Sequence, residues 1–323
     1  MKAIIYKEYG SPEVLQLKEI EKPTPKENEV LVKVYAASLN DWDWGLLRGN
    51  SLVIRLMNGV RKPKHTILGS DIAGRVEAIG SNVTRFKIGD EVYGDLSGEW
   101  GGFAEYVCAR ETFLVKKPAK MTFEEAAAIP QAAMLAVQGL IDVGNIQHGQ
   151  KILINGAGGG VGTFGIQIAK MYGCEVTGVD NSGKLEMMHS LGFDHGIDYV
   201  KEDFTKNGKQ YDLILDTKTN RSVFAYPRAL SPNGMYVTVG GTMPRLFQCF
   251  VLGWLVSLIH KKKIRIIALK QNKDLEYMNK LFEDGKLKFV IDRPFALEEV
   301  PKAFKLFGEG KHKGKVVVSI AKD

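Results

Sequence analysis

The sequence predicts an α/β protein with two domains: a β-rich unit of barrel-like type, and a doubly wound parallel sheet. Three observations support this prediction. The chain has 323 residues, about twice the usual size of one domain. In roughly its first 120 residues, short apolar segments are separated by glycine and proline. Beyond Met121, strand and helix patterns alternate instead.

The first part of the chain contains four segments with the composition of β-strands. Turn-forming residues separate them, as in the proline-containing loop at 22–26 and the turns at 80–82 and 89–90. Such frequent interruption is typical of barrel-like β units. The four predicted strands are 2–6, 29–36, 71–79 and 91–93.

The second part begins with a predicted helix over 124–143, for which Thr122 and Glu125 have the spacing of a capping box. Helical patterns then lie between several strand candidates, as at 161–172, where apolar residues recur on one face. Strands that alternate with crossover helices form a parallel, doubly wound sheet. The strand candidates are 151–155, 175–179, 196–199, 213–216, 235–239 and 264–269, and a last strand, 315–320, is expected to return to the first domain.

Composition and charge argue against several classes of protein. Apolar residues make up 45% of the chain and charged residues 25%, close to the averages of soluble globular proteins. The 44 Lys and Arg residues against 37 Asp and Glu residues give a net charge of +7, which is mild for this length. Apart from the lysines at 261–263 the cations look scattered, so we expect no nucleic-acid partner.

Cysteine content and the N-terminus indicate the compartment. Cys108, Cys174 and Cys249 lie far apart and form no CxxC pair, which argues against a disulfide framework and against a structural zinc site. The N-terminal segment has no apolar stretch of the kind found in signal peptides. We therefore expect a cytoplasmic protein.

One uncharged apolar segment, 246–259, runs directly into His260 and three lysines. It is shorter than the roughly 20 residues that a spanning helix needs. The favoured interpretation is a helix buried in a core, a pocket wall or a dimer contact. The less favoured alternative is a peripheral membrane contact through 246–263, with the lysines as its cationic flank.

The strongest local signal is a glycine-rich loop between the apolar strand 151–155 and the amphipathic helix pattern 161–172. This context is the one a dinucleotide fingerprint requires. Glycines allow a tight turn and a close approach of the backbone to a pyrophosphate, and the amide groups at the helix start then face the phosphates. The residues predicted to bind the phosphates are Gly156, Gly159, Gly160, Val161 and Gly162.

Two signals about the nucleotide follow the second strand and disagree. Asp180 lies 18 residues beyond Gly162, where a carboxylate would accept hydrogen bonds from the ribose hydroxyls of NAD. Ser182 and Lys184 come directly after it and suit the 2′-phosphate of NADP. Asp180 therefore favours NAD unless it turns away or pairs with Lys184.

Several motifs lie in the same order as in a known family, over nearly the whole chain. They are ASLNDWDW at 37–44, LGSDIAG at 68–74, FKIGDEVYG at 86–94, GGFAEY at 101–106, AAAIP at 126–130, the glycine loop, and GKVVV at 314–318. With these motifs the chain resembles the medium-chain dehydrogenase/reductase superfamily, and within it the zinc-free quinone oxidoreductase branch.

This resemblance implies a GroES-like catalytic domain built from both chain ends, 1–122 and 288–323, with a Rossmann nucleotide-binding domain, 123–287, inserted between them. It also implies a homodimer, paired through the last Rossmann strand at about 264–269.

The resemblance also bears on metal content. Zinc-dependent relatives place a cysteine where this chain has Asn40, and a histidine where it has the stretch 69–71. Since none of the three cysteines falls at a ligand position, we expect no zinc and no metal site. The expected cofactor is NADPH, with NADH as the alternative.

Further site residues come from the resemblance alone. It places Asn40 beside the nicotinamide, as the catalytic residue that orients the cofactor or the acceptor. It implies that the backbone amides of Gly240 and Gly241 reach the nicotinamide carboxamide, and that Tyr199 and Lys315 contact the cofactor phosphates. No residue stands out as a proton donor.

The function that these observations favour is hydride transfer from NAD(P)H to a quinone or an α,β-unsaturated carbonyl compound. The alternative is an NADPH-binding, membrane-associated or structural protein with little catalytic activity, which the segment 246–263 motivates.

Overall fold

The computed structural model describes residues 1–321. The chain forms two compact units. The terminal unit comprises Met1–Gln131 and Gln271–Asp323, and the central unit comprises Ala132–Lys270. The first and the last parts of the described chain thus belong to one unit.

The secondary structure of the described residues is as follows. The strands are β1 (Lys2–Ile5), β2 (Gln16–Glu19), β3 (Glu29–Ser38), β4 (Asp71–Ile79), β5 (Glu91–Asp95), β6 (Tyr106–Arg110), β7 (Val115–Lys116), β8 (Lys151–Asn155), β9 (Glu175–Asp180), β10 (His195–Asp198), β11 (Tyr211–Asp216), β12 (Leu230–Thr238), β13 (Lys263–Ile266), β14 (Phe295–Ala296) and β15 (Val317–Ser319). The helices are α1 (Asp41–Arg48), α2 (Leu52–Asn58), α3 (Phe123–Ala128), α4 (Pro130–Val137), α5 (Gly160–Met171), α6 (Leu185–Ser190), α7 (Met243–His260), α8 (Leu275–Glu283) and α9 (Val300–Gly308). Short 3-10 helices lie at Pro12–Val14, Glu111–Phe113, Ser182–Lys184, Tyr226–Ala229 and Leu297–Glu299, and a π-helical stretch at Gln138–Val143.

The terminal unit is built on a sheet in the order β14-β15-β3-β4-β5-β7, with β6 also paired to β3. The long central strand β3 pairs antiparallel with β4, β6 and β15. Because β15 pairs with β3, the last part of the chain returns to the first domain, as predicted. The rings of Phe103 and Phe304, 5.8 Å apart, join the two parts of the chain in the core as well.

The central unit contains a six-stranded parallel sheet in the order β10-β9-β8-β11-β12-β13. From β8 the chain proceeds to one edge through β9 and β10, and it later returns to build the other edge from β11. The strand order therefore reverses between β8 and β11, and the carboxyl end of such a reversal is where doubly wound sheets bind ligands. The doubly wound α/β prediction is confirmed.

The boundaries of the two units differ from the predicted 122/123 and 287/288 because two helices pack on the terminal unit. Ser38 Oγ donates a 2.8 Å hydrogen bond to the carbonyl of Ala127, which holds α3 on β3. Tyr93 Oη donates to Asn279 Oδ1 at 2.7 Å, which holds α8 on β5. The boundaries consequently fall at 131/132 and 270/271. These hydrogen bonds join residues far apart in sequence, so no local pattern could show them.

The apolar segment 246–259 forms most of α7, and the interpretation of this helix as buried in the core of the chain is wrong, whereas a dimer contact stays a prediction. Only Cys249, Gly253 and Val256 of α7 are buried. By length and composition, α7 is also the one helix among residues 1–321 that could cross a membrane. That criterion is weak, since a single helix of this kind also occurs in proteins that do not span membranes.

Candidate functional site

The glycine-rich loop leaves the carboxyl end of β8, at the reversal of the strand order, and leads into α5. The amides of Gly156 and Ala157 donate hydrogen bonds of 2.9 and 3.1 Å to the carbonyl of Val179 in the adjacent strand β9. Gly156 has φ +85°, a conformation that glycine adopts without strain. The loop is therefore fixed against the sheet by its own backbone.

The start of α5 lies so close to this loop that only glycine fits there. A Cβ atom on Gly162 would lie 2.3 Å from the carbonyl oxygen of Ala157. Gly159 precedes the helix in an extended conformation, and the first amides of α5, on Gly160 and Val161, have no acceptor within the helix. Unpaired N–H groups at the positive end of a twelve-residue helix fit the pyrophosphate of a dinucleotide.

Asp180, at the end of β9, braces the loop. Its Oδ2 accepts a 2.9 Å hydrogen bond from the amide of Gly158, and its Oδ1 accepts one from the amide of Asn181. Lys184 Nζ lies 3.4 Å from Oδ1. The side chains of Asp180 and Lys184 are only 9% and 6% exposed, so the pair is shielded from water. Of the arrangements the sequence left open for Asp180, the structure shows the ion pair with Lys184.

The other residues predicted around the ribose lie at the same end of β9. Ser182 is exposed, and it begins the 3-10 helix that ends at Lys184. The amide of Tyr199 donates a 3.1 Å hydrogen bond to the carbonyl of Asp180, and its side chain is 53% exposed. A Cβ atom on Gly158 would lie 2.6 Å from Lys184 Cδ. The structure thus brings Asp180, Ser182, Lys184 and Tyr199 together at the glycine loop.

Gly240 and Gly241 follow β12, two strands away from the glycine loop in the sheet. Gly241 has φ +147° and forms an isolated β-bridge with Thr219. A Cβ atom added to Gly241 would lie 2.5 Å from the Cβ atom of Thr219. Thr219 is held by buried Asp216, whose Oδ1 accepts hydrogen bonds from the amides of Lys218 and Thr219 at 2.8 and 3.0 Å. Burial raises the pKa of Asp216. The sequence did not indicate this role of Asp216.

In the terminal unit, Asn40 and Lys315 are in direct contact. Asn40 is the residue before α1, and Lys315 Nζ donates a 2.7 Å hydrogen bond to its Oδ1. Asn40 Nδ2 donates to Ser70 Oγ at 3.2 Å. Lys315, 4% exposed, also donates to the carbonyl of Leu39 and pairs with Asp71 Oδ2 at 3.3 Å. Lys315 therefore fixes the carboxamide of Asn40, whereas its predicted contact with phosphates stays a prediction.

Two further carboxyl groups surround Asn40. Asp43 accepts hydrogen bonds from the amides of Asn40 and Gly69, at 3.0 and 2.9 Å. Its side chain is fully buried, and this burial raises the pKa of Asp43 to about 7 despite the two hydrogen bonds. Burial also raises the pKa of Asp71, although the ammonium of Lys315 opposes the effect.

Asp95 and Gln131 extend the cluster, and the sequence indicated neither. Gln131 Nε2 donates to Ser70 Oγ at 3.1 Å and to Ser97 Oγ at 2.8 Å. Burial, with the nearby charge of Asp71, raises the pKa of Asp95 to about 6. Asp71 Oδ1 and Asp95 Oδ2 are buried and have no partner among the described residues. Asp71 and Asp95 face each other across β4 and β5, a juxtaposition that only strand register could reveal.

The residues around Asn40 do not fit a catalytic zinc ion. Zinc prefers thiolate, imidazole and carboxylate ligands, whereas Asn40, Ser70 and Lys315 present a carboxamide, a hydroxyl and an ammonium group. The nearby carboxyl group of Asp43 accepts hydrogen bonds from the amides of Asn40 and Gly69. The ammonium of Lys315 already balances Asp71. Burial raises the pKa of Cys108 and Cys249 to about 11, which disfavours the thiolates that bind zinc. Within residues 1–321, no three His, Cys, Asp or Glu side chains are grouped so that they could hold a metal.

Comparisons with known proteins cover both units. Residues 26–119 match the alcohol dehydrogenase GroES-like domain, and residues 191–318 match the family described as zinc-binding dehydrogenase. The chain is 35% identical to a 2-methylene-furan-3-one reductase of Solanum lycopersicum, over 98% of this chain and 79% of that one. It is 32% identical to an NADPH-dependent alkenal/one oxidoreductase, chloroplastic, of Arabidopsis thaliana, with the same two coverages. The structure of the quinone oxidoreductase from Coxiella burnetii superposes with a TM-score of 0.89, at 30% identity and 99% coverage of both chains.

Replacement of Gly159 by alanine is expected to weaken nucleotide binding without destabilising the protein. An added Cβ would lie 3.5 Å from the carbonyl oxygen of Gly156, an ordinary contact, yet it would stand where a pyrophosphate has to approach the backbone. Calorimetry should show at least tenfold weaker binding of NADPH, with the free energy of unfolding unchanged within about 1 kcal/mol. Gly162→Ala is the comparison. Its added Cβ would clash with the loop, so this variant should show both weaker binding of NADPH and a lower free energy of unfolding. Unchanged binding by Gly159→Ala would contradict the phosphate role of the loop.

Asp43 is expected to make the stability of the protein depend on pH. Because its pKa is higher in the folded protein than in the unfolded chain, its contribution is fully present below about pH 4 and is lost as the pH rises through about 7. The free energy of unfolding should fall by up to about 1.4 kcal/mol per pH unit in this window on account of Asp43. Asp43→Asn should remove that part of the slope in chemical denaturation, while Asp41→Asn, on the same helix but exposed, should not. Equal slopes in Asp43→Asn and the wild type would refute the burial argument.

Proposed function

Since the chain belongs to the medium-chain dehydrogenase/reductase superfamily, in its quinone oxidoreductase-like branch, we propose that it is a zinc-independent, NADPH-dependent oxidoreductase that reduces quinones or α,β-unsaturated carbonyl compounds. The observation that carries the proposal is the glycine loop braced by Asp180 and Lys184 at the reversal of the strand order. The relatives' names, a furanone reductase, an alkenal/one oxidoreductase and a quinone oxidoreductase, support the same class of acceptor.

The preference for NADPH is argued from the surroundings of Asp180. Its two oxygens already accept hydrogen bonds from the amides of Gly158 and Asn181, so accepting ribose hydroxyls would compete with the brace of the loop. Lys184 compensates the negative charge that would otherwise repel a 2′-phosphate. The exposed hydroxyl of Ser182 lies beside them as a further donor. These three side chains therefore favour NADPH over NADH.

NADPH, when bound, supplies the hydride. The role of the protein is to hold the acceptor and to stabilise the negative charge that develops on the acceptor's oxygen. Asn40 is suited to this task because Lys315 fixes its carbonyl oxygen and Ser70 accepts one of its two N–H bonds. We assign the second N–H bond of Asn40 to the oxygen of the acceptor.

The charge of Lys315 strengthens this arrangement. Asn40 and Lys315 are 7% and 4% exposed, and electrostatic interactions gain strength where water is excluded. A cation bonded to the carbonyl oxygen of Asn40 polarises the carboxamide, which makes its N–H bonds better donors. Lys315 thus acts through Asn40, as a positioning residue.

The proposal is tested by following the oxidation of NADPH with a panel of quinones, 2-alkenals and saturated aldehydes. We expect turnover with the first two classes and none with saturated aldehydes, and no loss of activity after treatment with a chelator. Asn40→Ala should lower kcat/KM by about 10² or more, with little change in NADPH binding. Consumption of NADPH by saturated aldehydes alone would overturn the conjugated-acceptor mechanism. Binding of NADPH without turnover of any acceptor would favour the alternative of a nucleotide-binding protein with little activity.

The nucleotide preference is tested by a separate titration. The wild type is expected to bind NADPH at least tenfold more tightly than NADH, a difference of about 1.4 kcal/mol. Lys184→Gln should weaken the binding of NADPH much more than that of NADH, because it leaves Asp180 uncompensated next to the 2′-phosphate. Lys209→Gln, an exposed lysine of the central unit that is not among the residues at the glycine loop, is the matched control. If Lys184→Gln weakened the binding of NADPH and of NADH equally, Lys184 would have no role in the preference for NADPH.

The homodimer that the resemblance implies would use the edge of the central sheet. β13 is the last strand at that edge, and no further strand lies beside it in the part of the chain that the structure describes. The homodimer and the cytoplasmic location both stay predictions.

A further inference from the structure

Asp71 and Asp95 each have one carboxyl oxygen that is buried and has no hydrogen-bond partner among the described residues. These oxygens are Asp71 Oδ1 and Asp95 Oδ2. The two residues are 0% and 1% exposed, so bulk water does not reach them. A buried carboxylate oxygen without a donor is unfavourable, and two of them in one cluster require a physical explanation.

The strand register places the two carboxyl groups side by side. Asp71 begins β4, Asp95 ends β5, and the two residues are direct partners in the antiparallel pairing. Residues directly opposite each other project from the same face of a sheet, with their Cβ atoms about 4.5–5.5 Å apart. Gln131 also touches both groups, since its backbone amide donates to Asp71 Oδ2 at 3.3 Å and its Nε2 donates to Asp95 Oδ1 at 3.4 Å. A hydrogen bond between the two carboxyl groups is therefore within reach.

The charged and titratable groups that face this pair are Lys315 and, from α1, Asp43. Lys315 Nζ donates to the carbonyl of Leu39 at 3.2 Å and to Asn40 Oδ1 at 2.7 Å. Its remaining N–H bond is donated to Asp71 Oδ2 at 3.3 Å, which uses all three donors of the ammonium group. Asp43 is itself a carboxyl group and adds no positive charge. If Asp71 and its neighbour were both ionised, one buried negative charge would stay uncompensated.

One proton between the two unpartnered oxygens removes both difficulties. Asp95 Oδ1 already accepts hydrogen bonds from the amide of Ser97, at 2.8 Å, and from Gln131, so the proton belongs on Oδ2. The resulting O–H group donates to Asp71 Oδ1. Every oxygen of the two carboxyl groups then has a partner, and the charge of Asp71 is balanced by Lys315.

We infer that Asp71 and Asp95 hold one proton between them, and that Asp95, through this carboxyl pair, is a positioning residue for Asn40. Lys315 is the link, because it binds Asp71 and the carbonyl oxygen of Asn40 at the same time. When the proton leaves, the second negative charge draws the ammonium group towards the pair and away from Asn40. The effect on turnover rests on the proposed role of Asn40, whereas the shared proton does not.

A second path of contacts leads from Asp95 to Asn40. Gln131 Nε2 donates to Asp95 Oδ1 and also to Ser70 Oγ, at 3.1 Å. Ser70 Oγ in turn accepts a 3.2 Å hydrogen bond from Asn40 Nδ2. The protonation of the pair therefore acts on both ends of the carboxamide of Asn40.

The electrostatics of the cluster agree with a shared proton. Burial, with the nearby charge of Asp71, raises the pKa of Asp95 to about 6, and burial raises the pKa of Asp71 as well. A hydrogen bond donated by protonated Asp95 raises its pKa further, because it stabilises the neutral form. Since the pKa of Asp95 is higher in the folded protein than in the unfolded chain, this contribution to stability is fully present below about pH 4. It is lost as the pH rises above about 6.

The shared proton is tested by infrared spectroscopy of the full-length protein, which separates the carbonyl band of a protonated carboxyl group from the bands of carboxylates. At about pH 5 the spectrum of the wild type minus that of Asp95→Asn should contain one protonated-carboxyl band, which should disappear above about pH 8. The matched control is Asp284→Asn, which replaces an exposed carboxylate of the terminal unit, and its difference spectrum should contain no such band.

Asp43→Asn separates the pair from the other buried carboxyl group. This variant keeps Asp71 and Asp95, so the titrating band should persist in it, and it can be followed there even if Asp95→Asn does not fold. Absence of the band at about pH 5 would overturn the inference, because a bridging water or a bound cation would then have to separate two carboxylates. Loss of the band in Asp43→Asn would assign the proton to Asp43 and overturn the inference as well.

The positioning role is tested by the pH profile of kcat/KM for a quinone acceptor. In the wild type, kcat/KM should fall by about tenfold between about pH 6 and about pH 9. Asp95→Asn should lack this decline, because its carboxamide donates an N–H bond to Asp71 at every pH. Asp284→Asn should decline like the wild type. An equal decline in Asp95→Asn and the wild type would overturn the positioning role.

The two measurements distinguish failure of this inference from failure of the proposed function. If no acceptor is reduced, the proposed function fails, while the infrared band still shows whether the pair holds a proton. If the band titrates and kcat/KM stays constant with pH, the shared proton is confirmed and the positioning role of Asp95 is wrong.

Discussion

The terminal unit depends on one buried cation. Lys315, near the C-terminal end, contacts Leu39 and Asn40 at the start of α1 and Asp71 in β4, from positions separated by more than 240 residues. A buried ammonium is tolerated only when its charge and its hydrogen bonds are matched, and these three partners match it. The same contacts hold Asn40 in one orientation. The contacts that join the two ends of the chain therefore also orient the candidate catalytic residue.

The central unit also contains a buried charge that is paired, in this case at the glycine loop. Asp180 and Lys184 are shielded from water as a pair, and the carboxylate fixes the glycine loop through the amide of Gly158. Each unit thus places a buried, compensated charge behind a part of the candidate site: the glycine loop in the central unit, and the carboxamide of Asn40 in the terminal unit. Such support keeps polar groups in position before a ligand arrives, which reduces the cost of binding and of reaction.

Most of α7 is exposed, although its sequence pattern is typical of a buried helix. An uncharged run of fourteen residues reads as a buried helix, and the local pattern contains the right periodicity. Whether the second side of such a helix is covered depends on what the rest of the chain leaves free. In this fold the sheet ends at β13, and only the inner side of α7 finds a partner among the described residues.

The sequence by itself determined the elements whose signals are local. The strand, loop and helix around Gly156–Gly162, the alternating order of the central sheet and the return of the C-terminal strand follow from periodicity, turn residues and motif order. Only the tertiary structure decided the partners of Asp180 and Lys315, the cluster of Asp71, Asp95 and Gln131, and the exposure of α7. The reason is physical: burial, and with it the pKa and pairing of a charge, is created by neighbours that strand register and packing bring from distant parts of the chain.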